Sequence, residues 1–178
     1  MFQIMVTISS VLILPLVMAY DMKFGYQISE GKARFFEDIE TNLGKNIVKI
    51  HTPAHNDVME SYLMQDFQKN KQITCLPSLN QCRVREIDRE TGVDAGKIAE
   101  AFVHSWNKGS NSISKSKSKE VTELYYIDGD EVTDTVSLGE DLRQFYIGFG
   151  YQLYQEKKIP HDAEMLNMTV YTGISYRK

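Results

Sequence analysis

The chain has 178 residues but only two cysteines, one tryptophan, four prolines and four histidines. Cys75 and Cys82 lack CxxC spacing, and two cysteines alone do not build a structural zinc site. Positive charge is not in excess: 20 Lys and Arg stand against 24 Asp and Glu, a formal net charge of −4. No broad basic surface follows, which argues against nucleic acid as a partner. The sequence contains no GxSxG elbow, no HExxH pair and no phosphate-cradling glycine loop. His51 and His55 would share a helix face, but Pro53 between them disfavours that helix, so they read as surface histidines rather than metal ligands. Asp128, Asp130 and Asp134 lack the Gly and distal Glu of an EF-hand and read as a solvated Asp-Gly turn. Cys75 and His104 could be paired as nucleophile and base, but no motif places them together. The expectation is a protein that is not an enzyme and uses no metal or cofactor.

What remains is an ordinary globular composition, 42% hydrophobic and 25% charged, long enough for one domain with a core plus extensions. Phe2 to Tyr20 carries no charged side chain. Val17-Met18-Ala19 supplies small or aliphatic residues for a cleavage site, so residues 1–19 read as a secretory signal peptide. The alternative is an uncleaved signal anchor, for which the run is short and broken by Gln3, Thr7, Ser9 and Ser10. Either way the rest enters an oxidising lumen, secreted or membrane-anchored. Contact with a membrane is expected only if that segment stays uncleaved. Asn167-Met168-Thr169 is an N-glycosylation sequon on that route.

Residues 20–44 read as an N-terminal extension or linker, with Ser29 capping a short helix through Phe35, Phe36, Ile39 and Leu43. Ile47 to His51 alternates like a strand, and Val58 to Phe67 is extended. Gln72 to Leu76 and Cys82 to Asp88 form a hairpin, with Cys82 and Val84 on one face and Arg83 and Arg85 on the other. Asp94 caps a helix to Trp106, built on Ile98, Phe102 and Trp106. The polar run within 108–120 reads as a mobile Ser/Lys loop. Glu123 to Ile127 is a strand closed by Asp128-Gly129-Asp130. Ser137 to Glu140 is a capping box opening a helix to Tyr146, and Phe149 to Tyr154 is a last strand. Residues 156–178 form a tail with a β-prone stretch from Met168 to Tyr176. Hairpins outnumber crossovers, so the class is α+β around a mainly antiparallel sheet.

On this hairpin Cys75 and Cys82 face each other across a six-residue loop. Two readings stay open, a disulfide or two buried free thiols; the lumenal compartment favours the bond.

The ordered segments resemble the BRICHOS domain family, closest in look to the integral membrane protein 2 group. The residues that carry the resemblance are Ile47-Val48-Lys49-Ile50-His51-Thr52-Pro53, Asp66-Phe67-Gln68-Lys69-Asn70 and Cys82-Arg83-Val84. After them come the Ile98–Trp106 helix, Leu124-Tyr125-Tyr126-Ile127, Leu138-Gly139 and Tyr151-Gln152-Leu153-Tyr154. The match covers residues 45–155. It implies a central sheet with a helix packed on each face, and a chaperone-like or pro-domain role that keeps β-prone segments from aggregating. Residues 159–178 of the chain itself are the natural client. The resemblance also makes Asp66 the signature acid, a pH-sensitive structural group if the sheet buries it. One departure stands out. The family pairs the cysteine at the place of Cys82 with one in the last helix, and here that place is near Tyr146, with no cysteine. A second reading, from another class, is a secreted cystatin-like binding or inhibitory protein that uses the Pro77 loop as a wedge.

Overall fold

The fold is taken from a computed structural model that describes residues 21–30, 32–87, 93–108, 112–114, 124–159 and 171–172. Residues 1–19, Asn167 and most of the 108–120 run therefore lie outside the described residues.

The described chain starts with two ten-residue strands, β1 (Asp21–Glu30) and β2 (Ala33–Asn42), paired antiparallel along their whole length. This hairpin replaces the helix expected from Ser29 through Leu43. The four-residue spacing of Phe35, Ile39 and Leu43 hides a two-residue period. Phe24 lies opposite Ile39, Tyr26 opposite Glu37 and Ile28 opposite Phe35, so one face of the hairpin gathers the large side chains.

The meander continues through β3 (Ile47–Thr52), β4 (Ser61–Asp66), β5 (Lys71–Leu76) and β6 (Gln81–Glu86), each antiparallel to the strand before it. The four connections share one device. Asn46, Asn56, Asn70 and Asn80 all have positive φ, between 45° and 58°. Asparagine tolerates the left-handed region better than other side-chain-bearing residues, so each bend is reversed where an asparagine stands.

Helix α1 (Ala95–Asn107) follows, then the short β7 (Ser112–Ser114), β8 (Leu124–Glu131), helix α2 (Glu140–Ile147), β9 (Gln152–Lys158) and the two-residue β10 (Tyr171–Thr172). The strands among the described residues join one sheet in the order β10-β8-β9-β6-β5-β4-β3-β2-β1-β7. Among them, β6–β9 and β1–β7 are the parallel pairs. The class is α+β with a mainly antiparallel sheet, as the hairpin-rich order implies.

The expected cap of α1 is present: Asp94 Oδ1 accepts the main-chain N–H of Lys97 at 2.8 Å. The box expected at Ser137 is not. A single 3-10 turn occupies Val136–Leu138, Gly139 is the N-cap of α2, and no side chain caps it. Ser137 Oγ instead accepts from Lys71 Nζ at 3.1 Å. Asp128-Gly129-Asp130 does not close β8 but lies inside it. The β8–β9 register shifts between Ile127 and Glu131, and Gly129 has φ of 82°, the signature of a bulge that bends the strand.

Strand alternation divides the core. Ile47, Met64, Ile73, Cys75, Cys82, Val84 and Leu153 cluster with Leu138 and with Leu142 of α2. Ile39, Val48, Phe67 and Ile87 cluster with Ala95, and Ile98 and Phe102 of α1 pack against them.

Candidate functional site

Cys75 and Cys82 are directly opposite each other on β5 and β6, with Cα atoms 4.0 Å apart, and they form a disulfide. Both are fully buried. The bond staples one hairpin at its loop end, where Pro77–Leu79 makes a single 3-10 turn and Asn80 closes it. Tyr146, near the place where the resembled family carries the other cysteine, packs instead against the cluster that holds this disulfide. Helix α2 is thus held by Leu142, which has no exposed surface, and by the ion pair of Asp141 with Lys45 at 2.6 Å.

Asp66 ends β4 and is buried. Its Oδ1 accepts the main-chain N–H groups of Gln68 and Lys69, at 3.0 and 2.9 Å. These bonds form an Asx-type turn that carries the chain into Asn70 and β5. Its ladder partners are Ile47 on one side and Lys71 on the other. Asp66 is therefore both a strand-end turn residue and a buried acid, two descriptions that the sequence presents as alternatives.

The two histidines have separate tasks. His51 stacks on Tyr62 with ring centroids 4.3 Å apart, and its Nε2 lies 2.9 Å from Glu60 Oε1. This contact and a hydrogen bond from Tyr62 hold the Glu60 carboxyl below the usual carboxylate range. His55 stacks on Phe35 at 3.7 Å. Nearby, burial pushes the Glu37 carboxyl up, against a smaller opposing effect from the Thr52 hydroxyl bonded to it at 2.5 Å. Among the described residues, no group of His, Cys, Asp and Glu has the geometry to hold a metal ion.

Sequence reasoning missed a buried ion cluster on the sheet face opposite the disulfide. Arg83 Nη1 lies 3.4 Å and Arg85 Nη1 3.7 Å from the two oxygens of Glu156, and all three side chains are largely buried. Arg83 Nε donates to Gln81 Oε1 at 3.0 Å, and the Arg85 guanidinium lies 3.8 Å over the Tyr125 ring. Arg-x-Arg on one face of a strand reads as a solvated face. It becomes buried because β9 docks beside β6, and no local pattern announces that pairing.

The last element is the tail. Tyr171 pairs with Tyr125 and Thr172 with Leu124, antiparallel, so β10 lies on the outer side of β8. Lys157 and Lys158 are the last two residues of β9, so the sheet takes in the start of the tail expected from residue 156, and Lys157 is ion-paired with Asp128 at 2.6 Å. Comparison with family models, curated proteins and solved structures finds no match for this chain.

Proposed function

We propose that the chain is a secreted or lumenal BRICHOS-like module that holds β-prone segments, its own C-terminal tail first among them, away from aggregation. The observation that carries this reading is the pairing of Tyr171–Thr172 with the edge of β8. An open strand edge displays main-chain donors and acceptors that another extended chain can complete. The tail supplies such a chain, and a ladder of two residues is short enough to release it, since each hydrogen bond contributes on the order of 1 kcal/mol net. Further support comes from the order of β3, β4, β5, β6, α1, β8, α2 and β9, which matches the order of the resembled segments. The separate clusters of α1 and α2 fit a helix on each face of the sheet. The disulfide fits an oxidising compartment.

The test is purified chain added substoichiometrically to an amyloid-forming peptide, followed by thioflavin fluorescence. The lag should lengthen at molar ratios well below one, and no delay at any ratio withdraws the reading. Asp66→Asn keeps an accepting oxygen for the turn while removing the charge. It should leave the turn intact, so any change in the lag reports on the buried charge itself. Intact-mass measurement of secreted material decides whether the tail is released after Lys158 or stays attached.

A further inference from the structure

We propose that His51 is an acid-tightened latch that holds the C-terminal end of helix α2 against the sheet. The latch is built from the chain's own contacts and is independent of the proposed function.

Three sets of contacts meet there. The first is the charge set around the imidazole. Its Nε2 lies 2.9 Å from Glu60 Oε1 and its Nδ1 3.7 Å from Asp38 Oδ2. Register places His51 opposite Asp38 on β2 and opposite Tyr62 on β4, and Glu60 stands immediately before β4. The second is the Tyr62 ring. It stacks on His51 at 4.3 Å with 9° between the planes, and its hydroxyl donates to the same Glu60 oxygen at 2.9 Å. The third leads to the helix. Tyr62 lies 5.1 Å from Phe149, and Phe149 meets Phe145 of α2 edge-on at 5.3 Å. The N–H of Phe149 also donates to the Tyr146 carbonyl at 3.1 Å. Leu142 and the Asp141–Lys45 pair secure the first turns of α2, and this aromatic row secures its end.

One proton strengthens the first two sets together. In the neutral ring Nε2 carries the hydrogen and donates to Glu60, which leaves a lone pair on Nδ1 toward the Asp38 carboxylate. Protonation makes both nitrogens donors, one for each carboxylate, and lays a cation on the face of Tyr62. Glu60 is ready for it. The His51 contact, and after it the Tyr62 hydroxyl, hold the Glu60 carboxyl below the usual carboxylate range, so it is ionised throughout the range in which histidines gain charge. The opposing charge on this face is Lys49, two residues back on β3, and Glu40 stands opposite it, itself paired with Lys23. Tyr151, beyond Tyr62, adds only a phenol. Glu37, bonded to Thr52 and close to His55, belongs to the other face. The charged ring thus has two anionic partners that the open arrangement lacks. The closed arrangement gains as pH falls from 8 to 6 and loses that gain on return.

The experiment is hydrogen exchange on the full chain at pH 8 and pH 6, corrected for the intrinsic rate at each pH. The amides read are Gly148 and Phe149, which bond to the carbonyls of Gln144 and Tyr146. From pH 8 to pH 6 their protection should rise about threefold more in the parent than in His51→Gln, the scale of a partly exposed charge pair. Glu60→Gln, which keeps an acceptor for the Tyr62 hydroxyl, should lose most of the same rise. His104→Gln, at an exposed site on α1, should behave as the parent. His51→Gln should have the same effect when Glu37→Gln is also present, which separates the latch from that buried acid. A merely structural histidine would lower protection equally at both pH values. That result, an absent rise in the parent, a parent-like rise in Glu60→Gln, or loss of the effect in the Glu37→Gln background overturns the latch and leaves the proposed function standing. If His51→Gln does not fold, Glu60→Gln decides.

Discussion

Reduction of the Cys75–Cys82 disulfide gives a quantitative test of what holds this fold. The bond closes a loop of eight residues, counted from a sequence separation of 7. In the chain-entropy model such a loop contributes about 2.5 kcal/mol by restricting the unfolded chain. For a chain of this size that corresponds to roughly 5–10 °C in Tm, or to about 1 M in the urea midpoint at a slope near 2 kcal/mol per molar. The assay is urea unfolding followed by circular dichroism with and without a phosphine reductant, with thiol alkylation and mass measurement confirming both states. The double variant Cys75→Ala/Cys82→Ala should lose a further 1–2 kcal/mol, roughly, because it also removes two sulfurs that have no exposed surface. A confirmed reduction that leaves the midpoint within about 0.2 M would refute the reasoning, since it would mean that the unfolded hairpin is already constrained without the bond. The same model gives about 4.3 kcal/mol for a staple from position 82 to position 146. The local staple therefore forgoes nearly 2 kcal/mol and leaves α2 with no disulfide to the sheet.

Other expectations follow from the same contacts. Because α2 has eight residues and is too short to persist alone, Leu142→Ala should cost about 2–5 kcal/mol and release the helix; retained near-ultraviolet dichroism at unchanged Tm would contradict this. Glu156→Ala leaves two largely buried guanidinium groups without their shared carboxylate and should destabilise by roughly 3–5 kcal/mol, measured by urea unfolding, whereas a surface pair would cost under about 1 kcal/mol. Burial raises the folded-state pKa of Glu37 above the ordinary 4.5. Its contribution to stability is thus fully present below 4.5 and fades as pH rises through the raised value. Glu37→Gln should flatten the stability profile on the alkaline side of pH 4.5, and parallel profiles for parent and variant would refute the assignment.

Much of the fold can be read in the sequence where the signal is local. The hairpin around Pro77, the strand from Ile47 and the Asp94 cap depend on residues a few positions apart. The β1–β2 hairpin was legible in principle. Its Phe24, Tyr26, Ile28 alternation continues in Phe35, Glu37, Ile39, but the adjacent Phe35 and Phe36 imitate a helical stripe. The four turn asparagines are a second usable signal, since each follows an extended run. The Arg83–Glu156 pair and the Phe24–Phe102 stack were not legible. Each joins residues some 70 or more positions apart, which meet only once the strands and α1 have packed. The disulfide was visible as a pair of facing positions, but its oxidation could be argued only from compartment.

The parallel seam between β6 and β9 gives the buried ion cluster a kinetic meaning. Strands β1 to β6 are joined by short turns and can assemble locally, whereas β9 must wait for some seventy residues of intervening chain. Until it arrives, β6 is the exposed border of a growing sheet, and Arg83 and Arg85 stand on it as like charges that repel a second copy of the same strand. Glu156 then arrives as the missing counterion, on the one strand that belongs there. The cluster marks the correct partner by neutralisation, so the nascent protein guards its own unfinished edge.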